Sequence, residues 1–325
     1  MPNWFCSRES VKRALRISGI AQDRFVDEAI EGMSREIERW TRRIFIPKTQ
    51  TRLYEWFPGQ STESYVLWLD FDLISVTTLQ TKAQDSSPTT IASTDFFTEP
   101  NNYGPPYNRI EIDLSSNAAF ESGDTSQRSI SVAGSWGYSN NTKSTGVIDD
   151  SSGISASDTA LIVSNASLID VGDTLLIGSE QIFVAERAFA ALGSVLINDA
   201  SFTSSVADNV LTVDGSHGIV AGEVIRLESE QLFVEAVSTN DLTVTRAYNG
   251  TLLAAHADDT PVHIERTLTI ERAVNGTTSA THANATAINK YEPEFNIQLW
   301  CRREAIAAYL QEGAGFGRQV GQGDG

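Results

Sequence analysis

The chain has 325 residues, 41% apolar and 20% charged, with 24 Lys and Arg against 42 Asp and Glu, a net charge of −18. That length and composition fit about two globular domains and exclude wholesale disorder. The acidic balance argues against binding a phosphate backbone or an anionic membrane surface, since both need clustered cations.

The N-terminal stretch MPNWFCSRESVKRALR lacks the apolar core of a secretion signal, and no run of about 20 apolar residues is present to span a membrane. The two cysteines, Cys6 and Cys301, cannot build a dense disulfide framework, which points to a reducing compartment of synthesis. Both read as buried small hydrophobes.

The charge is uneven. Residues 1–146 hold 15 basic and 18 acidic side chains, residues 147–289 hold 5 and 19, and residues 290–325 hold 4 and 5. The middle stretch is also rich in Ser, Thr, Ala, Gly, Asp and Asn and holds all four histidines. Boundaries are therefore expected near Gly146 and Asn289, with 139–157 as a polar linker.

Ser7 is placed to cap a short helix over Arg8–Ile17, which stops at Ser18-Gly19. A second helix is expected from Asp23 to Phe45, with Val26, Ile30, Met33, Ile37, Trp40 and Ile44 as one buried stripe. Acids crowd its start and Arg35, Arg39, Arg42 and Arg43 its end. The basic end reads either as dipole pairing or as a docking patch (Arg39, Arg42, Arg43) for an acidic partner.

From Thr51 the period becomes two. Strands are expected at Thr51–Phe57, Tyr65–Leu69, Ser75–Thr81, Arg109–Leu114 and Arg128–Trp136. Ile110, Ile112 and Leu114 face one way, giving a small sheet with one wet face, packed on the N-terminal helices. A last helix over Phe295–Gln311 carries Leu299, Ile306 and Leu310 and ends at Glu312-Gly313. The Gly-rich end that follows cannot bury enough to order alone, so it is either an idle tail or an arm that orders on another chain.

The acidic middle contains two copies of one module. Ser179-Glu180-Gln181-Ile182-Phe183-Val184 matches Ser229-Glu230-Gln231-Leu232-Phe233-Val234, and Val171-Gly172-Asp173 matches Ala221-Gly222-Glu223, at an offset of 50. Arg246-Ala247-Tyr248-Asn249-Gly250-Thr251 matches Arg272-Ala273-Val274-Asn275-Gly276-Thr277, and His256-Ala257 matches His282-Ala283, at an offset of 26. The order is first half, first half, second half, second half. Nesting explains it: a copy at about 206–264 sits in a loop of one whose halves are 155–188 and 267–289.

No catalytic constellation is recognised. His256 and His282 occupy equivalent places, so repetition explains them without a metal, and His263 lies outside ligand spacing. Gly313-Ala314-Gly315-Phe316-Gly317 follows a helix and lacks a nucleotide loop's strand-before, helix-after context. Neither an enzyme nor a cofactor is expected.

Several motifs follow one another along the chain: Trp40-Thr41-Arg42-Arg43-Ile44-Phe45, Leu73-Ile74-Ser75-Val76-Thr77-Thr78-Leu79, Arg109-Ile110-Glu111-Ile112 and Ile130-Ser131-Val132-Ala133-Gly134-Ser135-Trp136-Gly137-Tyr138, then an Ala-rich helix. Over about 1–140 and 290–325 the chain resembles the head–tail connector (adaptor) proteins of tailed bacteriophages. The inserted modules resemble small β repeats of phage structural proteins, an insert that typical connectors lack.

The resemblance implies a virion component of the head–tail neck, assembled in the host cytoplasm. It implies a homo-oligomeric ring, a dodecamer, below the portal protein, with the next tail or neck protein beneath. DNA would pass through the lumen without specific binding, and no membrane is involved. The C-terminal arm would reach the portal through Phe316, Arg318 and Val320. The competing reading is a tail-associated receptor-binding or decoration protein. A polysaccharide-processing enzyme is more distant, since no positioned carboxylate pair is visible.

The expected fold is thus α+β: N- and C-terminal helices packed on a small antiparallel sheet, with a large all-β insertion of two nested modules. Its parts are a body (1–146), the insertion (147–289), and a closing helix plus arm (290–325).

Overall fold

The computed structural model describes residues 3–57, 63–199 and 202–313. Among the described residues there are three α-helices and two antiparallel sheets. Ser7 caps α1 (Arg8–Leu15), its Oγ accepting the Ser10 N–H at 3.2 Å, and a left-handed Arg16 ends it. Helix α2 (Asp23–Thr41) stops at a left-handed Arg42, four residues before the expected end. Its buried face is Val26, Ile30 and Ile37. Trp40, 53% exposed, leaves the expected stripe and stacks on Trp300, ring centroids 5.6 Å apart.

Helix α3 (Phe295–Gly313) runs antiparallel to α2, since Trp300 lies by Trp40 while Tyr309 Oη donates to Gln22 Oε1 at 3.3 Å. Its buried residues are Ile297, Cys301 and Ala305, at helical spacing. The expected stripe through Leu299, Ile306 and Leu310 is therefore displaced: Leu310 is exposed. The small Cys301 and Ala305 admit the neighbouring helix closely, and Ser34 Oγ of α2 sits 3.3 Å from Cys301 Sγ.

The first sheet holds β1 (Lys48–Tyr54), β2 (Val66–Thr81), β3 (Thr89–Ile91), β4 (Phe96–Glu99), β5 (Tyr107–Ile112) and β6 (Ile130–Trp136), in the order β1-β6-β2-β5-β4 with β3 beside β2. Two expected strands fuse into β2, which runs through Asp70-Phe71-Asp72 with a register shift against β5. Leu114 lies beyond β5 and is exposed rather than facing the core with Ile110 and Ile112.

This sheet does not carry the helices, contrary to the sequence expectation. It has its own core of Leu67, Leu73, Leu79, Ile110, Ile130, Val132 and Trp136. The helices bury Val11, Val26, Ile30, Ile37 and Cys301 together with Val171, Phe183 and Val274 of the acidic region. Trp4 meets Phe183 edge-to-face at 5.5 Å. The apolar surface of the acidic region is thus the helices' partner, and the sheet joins them through Tyr138, whose N–H donates to Ile44 O at 2.7 Å.

The second sheet holds β7 (Thr142–Val147), β8 (Ala160–Ile162), β9 (Thr174–Ile177), β10 (Glu180–Leu196), β11 (Val210–Thr212), β12 (Val224–Leu227), β13 (Glu230–Ser238), β14 (Asp241–Thr245), β15 (Pro261–Glu271) and β16 (Ala287–Tyr291). Their order is β11-β14-β13-β12-β15-β10-β9-β16-β7, with β8 on β15. The long strands β10 and β15 pair from Phe183↔Glu271 and Val184↔Ile270 out to Leu196↔Pro261.

Two separate cores flank this pair. One gathers Ile148, Leu161, Val163, Leu175, Ile182, Val184, Leu268, Ile270 and Ile288. The other gathers Ile197, Leu211, Val213, Ile225, Leu232, Val234, Leu242, Val244, Val262 and Ile264. Segment 139–157 is not a free linker: it forms β7 and contributes the buried Ile148 and Ile154. The expected boundary at Asn289 falls inside β16.

Candidate functional site

The most conspicuous polar constellation is a buried Glu–Arg–His clasp that occurs twice. Glu230 opens β13, Arg246 follows β14, and His256 lies in the loop before β15. Arg246 grips the carboxylate through Nε and Nη2 at 2.8 and 2.9 Å, and His256 Nε2 sits 2.9 Å from Oε2. Main-chain N–H groups of Ala247 and Ala254 donate at 2.9 and 3.1 Å. The remaining Arg246 donors reach the carbonyls of Thr203, Asp208 and Ala254.

The same arrangement recurs at Glu180, Arg272 and His282. Arg272 Nε and Nη2 each lie 2.7 Å from Glu180, His282 Nε2 lies at 2.8 Å, and Ala273 and Ala280 supply the N–H groups. Both Glu side chains are wholly inaccessible. Burial opposes their ionisation, but the arginine, histidine and main-chain donors outweigh it and hold each carboxyl down at about 2. Such a clasp has every acceptor saturated, so it locks loops and offers no free group for chemistry.

A third buried pair joins the two cores. Glu223, the counterpart of Asp173, takes Arg266 at 2.7 and 2.8 Å and the N–H groups of Ala166 and Val220. Asp173 pairs with Lys290 at 3.0 Å. His217 accepts the Ile219 N–H at Nδ1 and contacts Thr239 O through Nε2, while His263 Nδ1 is buried without a partner. Among the described residues, no group of three or more His, Cys, Asp and Glu side chains is arranged to hold a metal ion.

The second polar concentration is the seam between α1 and the acidic region. Arg8 makes two-pronged contacts with Asp27 (2.8 and 2.5 Å) and Glu186 (2.7 and 2.8 Å). Glu9 accepts the Val171 N–H at 3.0 Å. Burial, then the nearby Asp170, pushes Glu9 up to about 8 despite Arg187. Arg187 in turn meets Glu265 at 3.0 Å.

The two Asn-Gly turns also touch the body. Asn275 and Asn3 exchange amide hydrogen bonds at 2.7 and 2.8 Å, and Gly276 (φ +79) packs so closely on Thr49 O that a Cβ would lie 2.1 Å from it. At Gly250 (φ +73) a Cβ would lie 2.5 Å from Ser18 Oγ.

The sequence-predicted site residues fare unevenly. Arg39 is solvent-facing beside Glu36, Arg42 supplies the left-handed cap of α2, and Arg43 lies 3.5 Å from Asp72 and over the Tyr138 ring at 4.5 Å. They share one helix end with the exposed Trp40. Phe316, Arg318 and Val320 lie outside the described residues. The clasp was missed as a unit, although its signal was present: Glu, Arg and His recur together in both copies at fixed offsets.

No family model, no curated protein and no solved structure matches the chain. The described residues include no helix long and apolar enough to cross a membrane.

Proposed function

We propose that the chain is a structural virion protein, a head–tail adaptor that assembles into a ring below the portal and joins the DNA-filled capsid to the tail. The observation that carries this reading is the pairing of α2 with α3. These helices are separated by the whole acidic region in sequence, yet they share one buried cluster. The ends of the chain thus make one helical body, and an adaptor-like body interrupted by an insertion would be built this way. The ordered motifs from Trp40 to Tyr138 support the same reading.

Within it, the acidic region is two nested copies of one module. Supporting this are two separate cores, one clasp per core, and the Leu196↔Pro261 pairing that closes the base of the inner copy. The clasp of the outer copy joins residues 92 positions apart, across the inner copy. The net of −14 on residues 147–289 suits an exposed outgrowth, kept soluble by its charge, and not a DNA-gripping surface. Portal, the next neck or tail protein and further copies of the chain are the proposed partners. DNA passes the lumen without specific contacts.

Truncation after Glu312 tests the portal contact. The shortened chain should keep its circular dichroism and lose co-sedimentation with portal. Undiminished co-sedimentation would remove the arm from the account.

A further inference from the structure

Cys6 and Cys301 stand 295 positions apart in sequence, yet their sulfurs lie 3.4 Å apart. Cys6 belongs to the bend ahead of α1, and Cys301 to the second turn of α3. Cys301 is fully buried, with Ser34 Oγ at 3.3 Å. Cys6 is half-buried and borders an open cavity of about 200 Å³ that Ser10, Arg13 and Arg302 also line. A small reagent therefore has a route to one sulfur of the pair and none to the other.

We propose that Cys6 and Cys301 form a disulfide by exchange with a small aliphatic disulfide, Cys6 as the entry thiol and Cys301 as the resolving one. Cys6 S–H donates to Cys301 Sγ, and Cys301, as the thiolate, takes that proton as Cys6 attacks. The sulfur–sulfur bond of the reagent breaks, a mixed disulfide forms on Cys6, and the first small thiolate leaves and is protonated from solvent. Cys301 then loses its proton to solvent and attacks the Cys6 sulfur. The second small thiolate leaves and is likewise protonated. The pair loses two electrons and the one proton it held, and the reagent is reduced to two thiols with one further proton drawn from solvent.

Three observations favour closure over a stable mixed adduct. The sulfurs are already in van der Waals contact, and a bond of about 2.05 Å asks for a movement of only about 1.4 Å, which Cys6 can make beside the cavity. The Cys6 S–H, and then Ser34 and the main chain of Phe5 and Cys6, hold the Cys301 thiol below the usual thiol range against its burial, which suits a resolving nucleophile. The hydrogen bond to Cys301, together with burial, raises Cys6, so the proton of the pair rests there.

The bridge would tie the segment before α1 to α3 and constrain nearly the whole chain when unfolded. It forms in the isolated chain, so it stands or falls apart from the adaptor reading. The test treats the purified full-length protein with hydroxyethyl disulfide and maps its peptides without reduction. The expected result is a linked peptide pair carrying residues 6 and 301, both thiols protected from maleimide after denaturation, and a melting midpoint raised by roughly 5–10 °C that reductant reverses. C301S should instead hold a hydroxyethylthio adduct on Cys6, and C6S should leave Cys301 unmodified while folded. Oxidised wild-type protein that keeps both thiols, or carries the stable Cys6 adduct seen in C301S, would overturn the proposal. The wild-type peptide map decides even where a variant fails to fold.

Discussion

Arg246→Met would test whether the clasp is what holds the inner module together. The substitution keeps bulk and removes the partner of a carboxylate that has no solvent access. Glu230 would retain His256 and two main-chain N–H groups but lose its bidentate cation. Breaking a buried ion pair from one side costs about 3–5 kcal/mol, because the remaining charge is uncompensated. Three carbonyls, of Thr203, Asp208 and Ala254, also lose their donor, at about 1 kcal/mol each where water does not replace it.

With all three carbonyls left without a donor the combined loss is roughly 6–8 kcal/mol, which approaches the whole stability of a small module. All six tryptophans lie outside the acidic region, so their fluorescence would miss the event. Hydrogen exchange resolves it: amides of β11–β14 should lose protection while those of β9 and α2 keep theirs, since the two module cores are separate. Glu230→Gln with Arg246→Met should recover part of the loss, because no buried charge is left unpaired. Unchanged protection in the single variant, or equal loss in both cores, would refute the reasoning.

Four further outcomes are expected. Replacing residues 191–263 by Asn-Gly turns β10 and β15 into a hairpin joined at the Ala190↔Ile264 pair, and nesting predicts that β8, β9 and β16 stay protected from exchange; collapse of both modules would count against it. Glu9 titrates above an unfolded carboxyl, so the unfolded chain binds fewer protons between about 4.5 and 8 and stability should fall as pH rises through that window; Glu9→Gln should raise the melting temperature at pH 8 and change little at pH 4, and identical profiles would contradict the assignment. Glu180 and Glu230 act oppositely, adding stability above about 4.5 that is lost as pH falls toward 2. Gly276→Ala forces a Cβ onto a main-chain oxygen at a positive φ and should cost more than about 1 kcal/mol, whereas Gly250→Ala meets a movable Ser18 side chain and should cost less; urea midpoints of the two variants decide it.

Much of the fold was legible where the pattern was local. Ser7 announced its helix, and alternation over Ile110 and Ile112 announced its strand, because capping and burial act within a few residues. Matched segments at two offsets carried the identity of the clasp residues, but a match at a fixed offset does not say which of them meet in space. A Glu that pairs 92 residues away leaves no local trace. The packing partner of the helices was misjudged because Val171, Phe183 and Val274 look like ordinary module core; only in three dimensions do they emerge on the side that α1 and α2 cover.

The buried face of α3 was misread for a related reason. Hydrophobicity favours Leu310, while close helix approach favours the smaller Cys301 and Ala305. Strand β7 was hidden by its Thr, Lys, Ser and Gly content, since an edge strand is held by ladder bonds to β16 and needs little apolar surface of its own.

Copy number is the most direct test of the adaptor reading. Purified full-length chain, mixed with portal and imaged by electron microscopy with mass measurement of the same particles, should form rings of about twelve copies seated on the portal. A monomer that ignores portal, or a trimer without a ring, would contradict it.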